Sequence, residues 1–322
     1  MTFSRPWTLF AALALVGLTA AALPATAQNA PAQPPAAAAP TTQPPAGDAD
    51  SDNQPPAYPT TQFASDDATS ATVTSGGVTV TITMDQLPDA DPDNPTPVLH
   101  VTVGGQEVLR AIGVAGEPDD PQPEASIAEM DASNGLPEVY FVSGCCNTVI
   151  VAEQIAGGGW QAVPIGDFGD SGATLEDLDG DGIAEIATVD TNFITRFDCT
   201  ACSTAPRVVY TVKNGAVVDE TTEPRFLPAH REWLQQLTDA IQPDAMWSSP
   251  GFLAGWLAEK IRVGEGADGW QQLNSHWDFT HDDGEQVCPN GDDPDTCDAK
   301  DRKTMKFPDR LRLFLTANGY TF

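Results

Sequence analysis

The hydrophobic rhythm of this chain changes once, near Pro224, and that change constrains the fold more than any other feature. Upstream, "ATVTSGGVTVTITM" and "PVLHVTVGGQEVLRAIGV" alternate β-branched residues with small or polar ones. A period of two places the apolar set on one face of a pleated strand. Gly104-Gly105 and Asn214-Gly215 fall between such runs, and these pairs tolerate the positive φ that two-residue hairpin turns require. "EVYFVS", "TVIVAEQI", "WQAVPIG", "EIATVD" and "RVVYTVKNGAVVDE" extend the series. Downstream, "PAHREWLQQLTDAI", "PGFLAGWLAEKIRVG", "ADGWQQLNSHWDF" and "PDRLRLFLTANGY" place apolar residues at helical spacing. Several begin at proline and some end at glycine or asparagine, as helices do. The expected class is α+β: a β-rich antiparallel domain over 68–223, then an α-helical, disulfide-containing domain over 224–322. Trp233, Trp256, Trp270 and Trp277 are expected in the helical core, since large aromatics dominate cores.

Two segments precede the folded part. "MTFSRPWTLFAALALVGLTAAALPATA" carries Arg5, an apolar run and Ala25-Thr26-Ala27. This is the pattern of a secretory signal peptide over 1–27, with an apolar run too short for a membrane span. Residues 28–67 are dominated by Ala, Pro, Gln, Thr and Asp. Such a composition has little to bury and favours an extended, disordered tether. The expected location is periplasmic or extracellular, with no membrane insertion once the leader is removed.

The chain has 46 acidic and 15 basic residues, a formal net charge of −31. Loss of the leader removes one cation and no acid. A field of this sign repels nucleic acid and anionic headgroups and attracts cations. All six cysteines lie in the exported part, where an even count suggests disulfides. Cys288 and Cys297 bracket a short acidic loop and are expected to pair. Cys145 and Cys146 are expected to pair with Cys199 and Cys202, because a bridge between adjacent cysteines is strained. The alternatives for "FDCTACS" are a redox C-x-x-C, which usually needs a helix N-terminus, or a four-cysteine zinc site.

The run "DLDGDGIAEI", Asp177 to Ile186, holds the clearest chemistry. Acids at alternating positions present several hard oxygens towards one point, the ligand type calcium prefers over the few protein ligands of magnesium. An EF-hand would need glutamate at the twelfth position, which is Thr188, and no helical pattern flanks the loop. The run resembles the calcium loops of FG-GAP and VCBS-type repeats, in which D-x-D-G-D-G-x-x-[DE] joins two strands. That resemblance implies calcium ligation by Asp177, Asp179, Asp181, the Ile183 carbonyl and Glu185.

"ASIAEMDASNGLPEVYFVS" aligns with "ATLEDLDGDGIAEIATVD". Ala125 falls on Ala173, Ile127 on Leu175, Met130 on Leu178 and Asp131 on Asp179. After a one-residue insertion, Gly135 falls on Gly182, Leu136 on Ile183 and Glu138 on Glu185. This reads as an internal repeat of strand, turn and strand, with two copies too few for a closed propeller. One twisted antiparallel sheet built from both units is the expected arrangement. The first copy has fewer carboxylates and broken spacing, which argues against a metal there. More widely, "VSGCCN", "DTNFITRF", "STAP" and "FPDRLRLFLTANGY" resemble a group of functionally uncharacterised exported bacterial proteins. That likeness implies compartment and architecture and no mechanism.

Enzyme signatures are weak. "GDSG" at Gly169–Gly172 resembles the nucleophile loop of chymotrypsin-like proteases, but the only upstream histidine is His100, within a strand, and Ala173 stands where glycine is expected. His276 and His281 lie near Asp278, Asp282 and Asp283, a spacing that suits a solvated polar loop as well as zinc. No H-E-x-x-H, P-loop or G-x-S-x-G occurs. The expected function is a calcium-binding, non-catalytic binding or structural module of the cell envelope, with a protein or glycan as partner. The alternative is an envelope hydrolase with an unrecognised site.

Overall fold

Period-two alternation becomes three antiparallel meanders, followed by a helical cap. The computed structural model describes residues 58–64, 68–88, 94–117, 120–289 and 294–321, all within one unit, Thr41–Phe322. The expected leader and most of the expected tether lie outside these residues, but the tether's end at 60–62 is a strand paired antiparallel with residues 124–126, so the folded part begins before residue 68. The strands of the β-rich part are β1 (Thr60–Gln62), β2 (Ser70–Ser75), β3 (Val78–Asp85), β4 (Thr96–Val103), β5 (Gln106–Ile112), β6 (Glu124–Ala128), β7 (Glu138–Ser143), β8 (Thr148–Gln154), β9 (Trp160–Asp167), β10 (Thr174–Glu176), β11 (Glu185–Val189), β12 (Arg207–Lys213) and β13 (Ala216–Asp219). They form sheets of order β2-β3-β4-β5, β1-β6-β7-β8-β9 and β10-β11-β12-β13. The turn residues behave as their types require: Gly104 and Gly105 have φ of 59° and 80°, and Asn214 and Gly215 have 49° and 80°.

The sheets pack face to face in sequence order. Val78, Val80, Ile82, Leu99 and Val101 of the first sheet meet Ala125, Ile127, Val139 and Phe141 of the second. On the other face of the second sheet, Tyr140, Val149, Val151 and Val163 meet Ile186 and Val212 of the third. The Tyr140 hydroxyl also donates to the Ala173 carbonyl across this interface at 2.8 Å. A middle layer buried on both faces explains why β7 and β8 read as nearly unbroken apolar runs. The outer face of the first sheet is a threonine ladder, with cross-strand hydroxyl pairs Thr72–Thr81 at 3.0 Å and Thr74–Thr79 at 2.9 Å.

This arrangement corrects the single-sheet expectation for the repeated units. The β6–β7 hairpin belongs to the five-stranded sheet and the β10–β11 hairpin to its neighbour. Each hairpin continues into its own meander, and the alternating residues of β7 fill cores on both sides. The two units are therefore stacked and do not share a sheet edge.

The helical part contains α1 (Leu227–Asp239), α2 (Pro243–Met246), α3 (Pro250–Arg262), α4 (Gly266–His276) and α5 (Phe307–Ala317). It also holds a small hairpin of β14 (Glu285–Val287) and β15 (Lys303–Met305), which its sequence did not announce. Trp256 and Trp270 are buried in its core, and Trp233 and Trp277 pack partly buried against it. Helix α3 is buried continuously from Gly251 to Glu259, and apolar residues cover it all round, as in a central helix. Phe193, Phe197 and Ala205, from the β11–β12 connection, belong to the same core. The class is α+β, as the sequence indicates.

Candidate metal centre

The acidic loop closes the β10–β11 hairpin, in which Glu176 pairs with Glu185. Gly180 and Gly182 take φ of 78° and 86°, a left-handed geometry that an L side chain resists. Asp177 folds the loop: its carboxylate accepts from the Gly180 amide at 2.8 Å and the Gly182 amide at 3.0 Å. Asp179 accepts from the Asp181 amide at 3.2 Å, and Asp181 from the Ile183 amide at 2.8 Å. These local bonds are the turns that aspartate side chains favour.

Of the expected ligands, Asp177, Asp179 and Glu185 offer carboxylate oxygens that all lie within 4.8 Å of one another. Asp181 stands beside them, with an oxygen 3.7 Å from Arg225 Nη1. Ile183 and Glu185 line an open cavity of about 270 Å³, together with Asp131, Ser133 and Arg225. Glu185 is fully buried. Its Oε2 accepts from the Leu178 amide at 2.9 Å, while its Oε1 has no hydrogen-bond partner. Burial pushes this carboxyl up to about 7; Asp179 and Asp181 add to the rise, and the Leu178 amide and Arg225 oppose it.

Arg225, in the turn entering α1, is the residue the loop pattern did not reveal. Its Nη1 lies 2.8 Å from Asp179 Oδ2 and 3.6 Å from Glu185 Oε1, and its Nη2 pairs with Glu220. The guanidinium also lies over the Phe226 ring, 4.2 Å from its centroid. The acidic loop thus receives a cation from the start of the helical part.

The first copy is built alike and finished differently. Glu138 Oε2 accepts from the Met130 and Asp131 amides at 2.7 and 3.0 Å, and Met130 is the counterpart of Leu178. Its Oε1, however, accepts from Asn134 Nδ2 at 2.5 Å. Asp131 accepts from the Ser133 amide at 2.9 Å and from the Asn214 amide at 3.1 Å. The two loops are joined where the Ala184 amide donates to the Glu129 carbonyl at 2.7 Å.

Buried acceptors in folded proteins nearly always have a partner. The Glu185 oxygen accepts no hydrogen bond, and with Arg225 3.6 Å away and the Asp177 and Asp179 carboxylates beside it, it is a hard acceptor that a calcium ion would fit. In the first copy the equivalent Glu138 oxygen is satisfied by the Asn134 side chain, while Glu129 Oε1 of that copy also lacks a hydrogen-bond partner.

The cysteines depart from expectation. Cys288 and Cys297 are bridged, as are Cys199 and Cys202, whereas Cys145 and Cys146 are free and exposed. The pairing of Cys145 and Cys146 with Cys199 and Cys202 is therefore wrong. The short 3-10 turn Thr200–Cys202 brings the Cα atoms of Cys199 and Cys202 to 5.0 Å, well within disulfide reach. The histidines of the enzyme signatures are engaged locally. The His100 ring bonds Thr83 and Glu107, His276 stacks on Trp247 with centroids 4.3 Å apart, and exposed His281 pairs with Asp278.

Fold and site together define an α+β protein of three stacked β-meanders and a helical cap, with an acid-lined loop where the two parts meet. Residues 230–319 match the family described as the sll0997 C-terminal domain. The chain is similar, at 34% identity over 212 residues, to the probable thylakoid lumen protein sll0997 of Synechocystis sp., over 63% of this chain and 62% of that protein. It is similar, at 27% identity over 222 residues, to the uncharacterized protein y4bJ of Sinorhizobium fredii, over 67% of this chain and 35% of that one. The chain thus spans less than two thirds of the length of either relative. No solved structure matches. The thylakoid lumen is an extracytoplasmic compartment, in agreement with the export expected from the sequence. The protein is an exported one, of the periplasm or the extracellular space. Among the described residues no helix is long and apolar enough to cross a membrane.

Proposed function

We propose that the protein is a calcium-braced, non-catalytic binding or structural module of the cell envelope. The ion would be held by Asp177, Asp179, Asp181, the Ile183 carbonyl and Glu185, the set implied by the resemblance to FG-GAP and VCBS-type loops. One observation carries the reading: the buried Glu185 oxygen has no hydrogen-bond partner, while its counterpart on Glu138 is satisfied by Asn134. A hard cation supplies what the amide supplies in the other copy. The role is read as structural because the ligands come from one short hairpin loop. Recognition of an envelope protein or glycan would fall to the surfaces that the brace holds in place.

Thermal melting of the mature protein in calcium and in chelator tests this. An ion that binds only the folded chain stabilises it by about 2.7 kcal/mol at a hundredfold excess over its dissociation constant. The midpoint should fall in chelator, and Asp179→Ala should remove most of the difference. Glu138→Ala should lower both midpoints and leave the calcium increment nearly intact. An unchanged wild-type midpoint identifies the loop as an acidic turn only. Turnover of an ester, glycoside or peptide substrate, lost on a single acid or serine substitution, would overturn the non-catalytic assignment.

A further inference from the structure

The four-residue loop closing the β7–β8 hairpin carries Cys145 and Cys146 side by side. Ser143 and Thr148 pair at its base. Both thiols are exposed, and their sulfurs are 3.0 Å apart. The loop backbone is fixed at both ends: Gly144 and Asn147 take φ of 78° and 47°. The Cys146 carbonyl accepts from the amides of Phe168 and Gly169 at 3.0 and 2.8 Å. Asn147 Nδ2 donates to the Gly169 carbonyl at 2.8 Å. The other four cysteines are already bridged to one another, so these two thiols have no partner in the chain except each other.

We propose that Cys145 and Cys146 are a reversible redox site that closes to a vicinal disulfide by exchange with a disulfide oxidant of the export compartment. One cysteine, as thiolate, attacks the oxidant and forms a mixed disulfide, releasing the first thiol. The second attacks that bond, forms the Cys145–Cys146 linkage and releases the second thiol. The chain gives up two protons and two electrons, and the oxidant becomes two thiols. Contact with the Cys146 thiol raises the Cys145 thiol above its ordinary value, and the charge of Asp120 adds to this. Reactivity therefore comes from the enforced nearness of the second sulfur.

The linkage is labile by construction. Adjacent Cα atoms are about 3.8 Å apart across a trans peptide, whereas unstrained disulfides span about 4.4–6.8 Å. Strained and exposed disulfides are the easily reduced, regulatory ones. Ring closure also constrains Cys146, whose carbonyl anchors the Phe168–Gly169 segment. Phe168 lines two open cavities of about 840 and 870 Å³, and Gly169 lines the larger. The redox state of the pair is thereby coupled to a wall of both cavities.

Mature protein equilibrated across a glutathione redox buffer, then alkylated and peptide-mapped, tests the site. The 145–146 peptide should lose both alkylation sites together in oxidising buffer, with the mass of two hydrogens lost and no retained glutathione. The Cys199–Cys202 and Cys288–Cys297 peptides should stay bridged over that range. Cys146→Ser should trap glutathione on Cys145. Wild-type protein that stays fully alkylatable in oxidised glutathione, or that keeps a glutathione adduct, overturns the proposal. Amide exchange at Phe168 and Gly169 should differ several-fold between the two redox states; equal rates overturn the coupling to the cavities.

Discussion

Glu138 and Glu185 are both fully buried carboxyls at equivalent hairpin positions, and one partner separates them. Asn134 completes the bonding of Glu138, so the titration of Glu138 can be followed without a metal. Burial raises this carboxyl from 4.5 to about 7, against the pull of the Asn134 side chain and the Met130 and Asp131 amides. The folded chain therefore keeps a proton that the unfolded chain gives up in the window between those values. Stability from this group is full below about 4.5 and is lost as pH rises towards 7. Glu138→Gln cannot ionise and should lack this slope. In chelator, the wild-type melting midpoint should fall relative to that of Glu138→Gln between pH 4.5 and 7; parallel curves would show that Glu138 is ionised throughout. At this scale the sequence is legible where the motif is local. The acids at 177, 179 and 185 lie together as their spacing implies. Arg225 was not legible, because a basic residue forty positions after the loop carries no periodic signal. Its approach depends on how the turn before α1 packs against the hairpin.

At the scale of elements, the hairpins were readable because glycine and asparagine mark their turns chemically. Their stacking was not readable, because alternation says which residues face inward and not which sheet they will face. The helices were readable from spacing alone, but the depth of α3 follows from its glycines. A Cβ on Gly255 would lie 2.4 Å from the Thr204 carbonyl oxygen, and one on Gly251 2.6 Å from that of Cys202. The helix therefore rests directly on the backbone of the β11–β12 connection. Alanine favours an isolated helix over glycine by about 1 kcal/mol, yet here the neighbour is backbone and cannot turn aside. Gly255→Ala should be net destabilising, by about 1–3 kcal/mol, as read from denaturant midpoints; a gain would show that α3 can move away freely. Arg225 joins the same two regions. It pairs with Asp179 and Glu220 and would compete with an ion for the loop. Arg225→Gln should lower the melting midpoint in chelator and enlarge the calcium-induced rise. Calorimetric titration should show tighter calcium binding in the variant, and weaker binding would make Arg225 a support of the site and not its competitor.

The whole molecule carries a formal charge of −31, and self-repulsion at that level opposes compaction whatever any one loop does. Any salt will relieve part of it, because the screening length falls to about 10 Å at 0.1 M ionic strength. A rise in melting temperature with calcium is therefore ambiguous by itself, since a divalent ion also screens. The two contributions separate by concentration and by site. Screening grows gradually with ionic strength and is indifferent to which acid is removed. The proposed loop binding would saturate near its dissociation constant and would depend on carboxylates that converge within 4.8 Å. At matched ionic strength, calcium should therefore raise the midpoint above the sodium value, and the excess should saturate. Asp179→Ala should keep the sodium response and lose the excess. Asp283→Asn, which removes an acid from the polar loop after α4, should keep both. Equal midpoints in the two salts at matched ionic strength would assign the whole effect to the net charge and leave the Asp177–Glu185 loop without a specific ion.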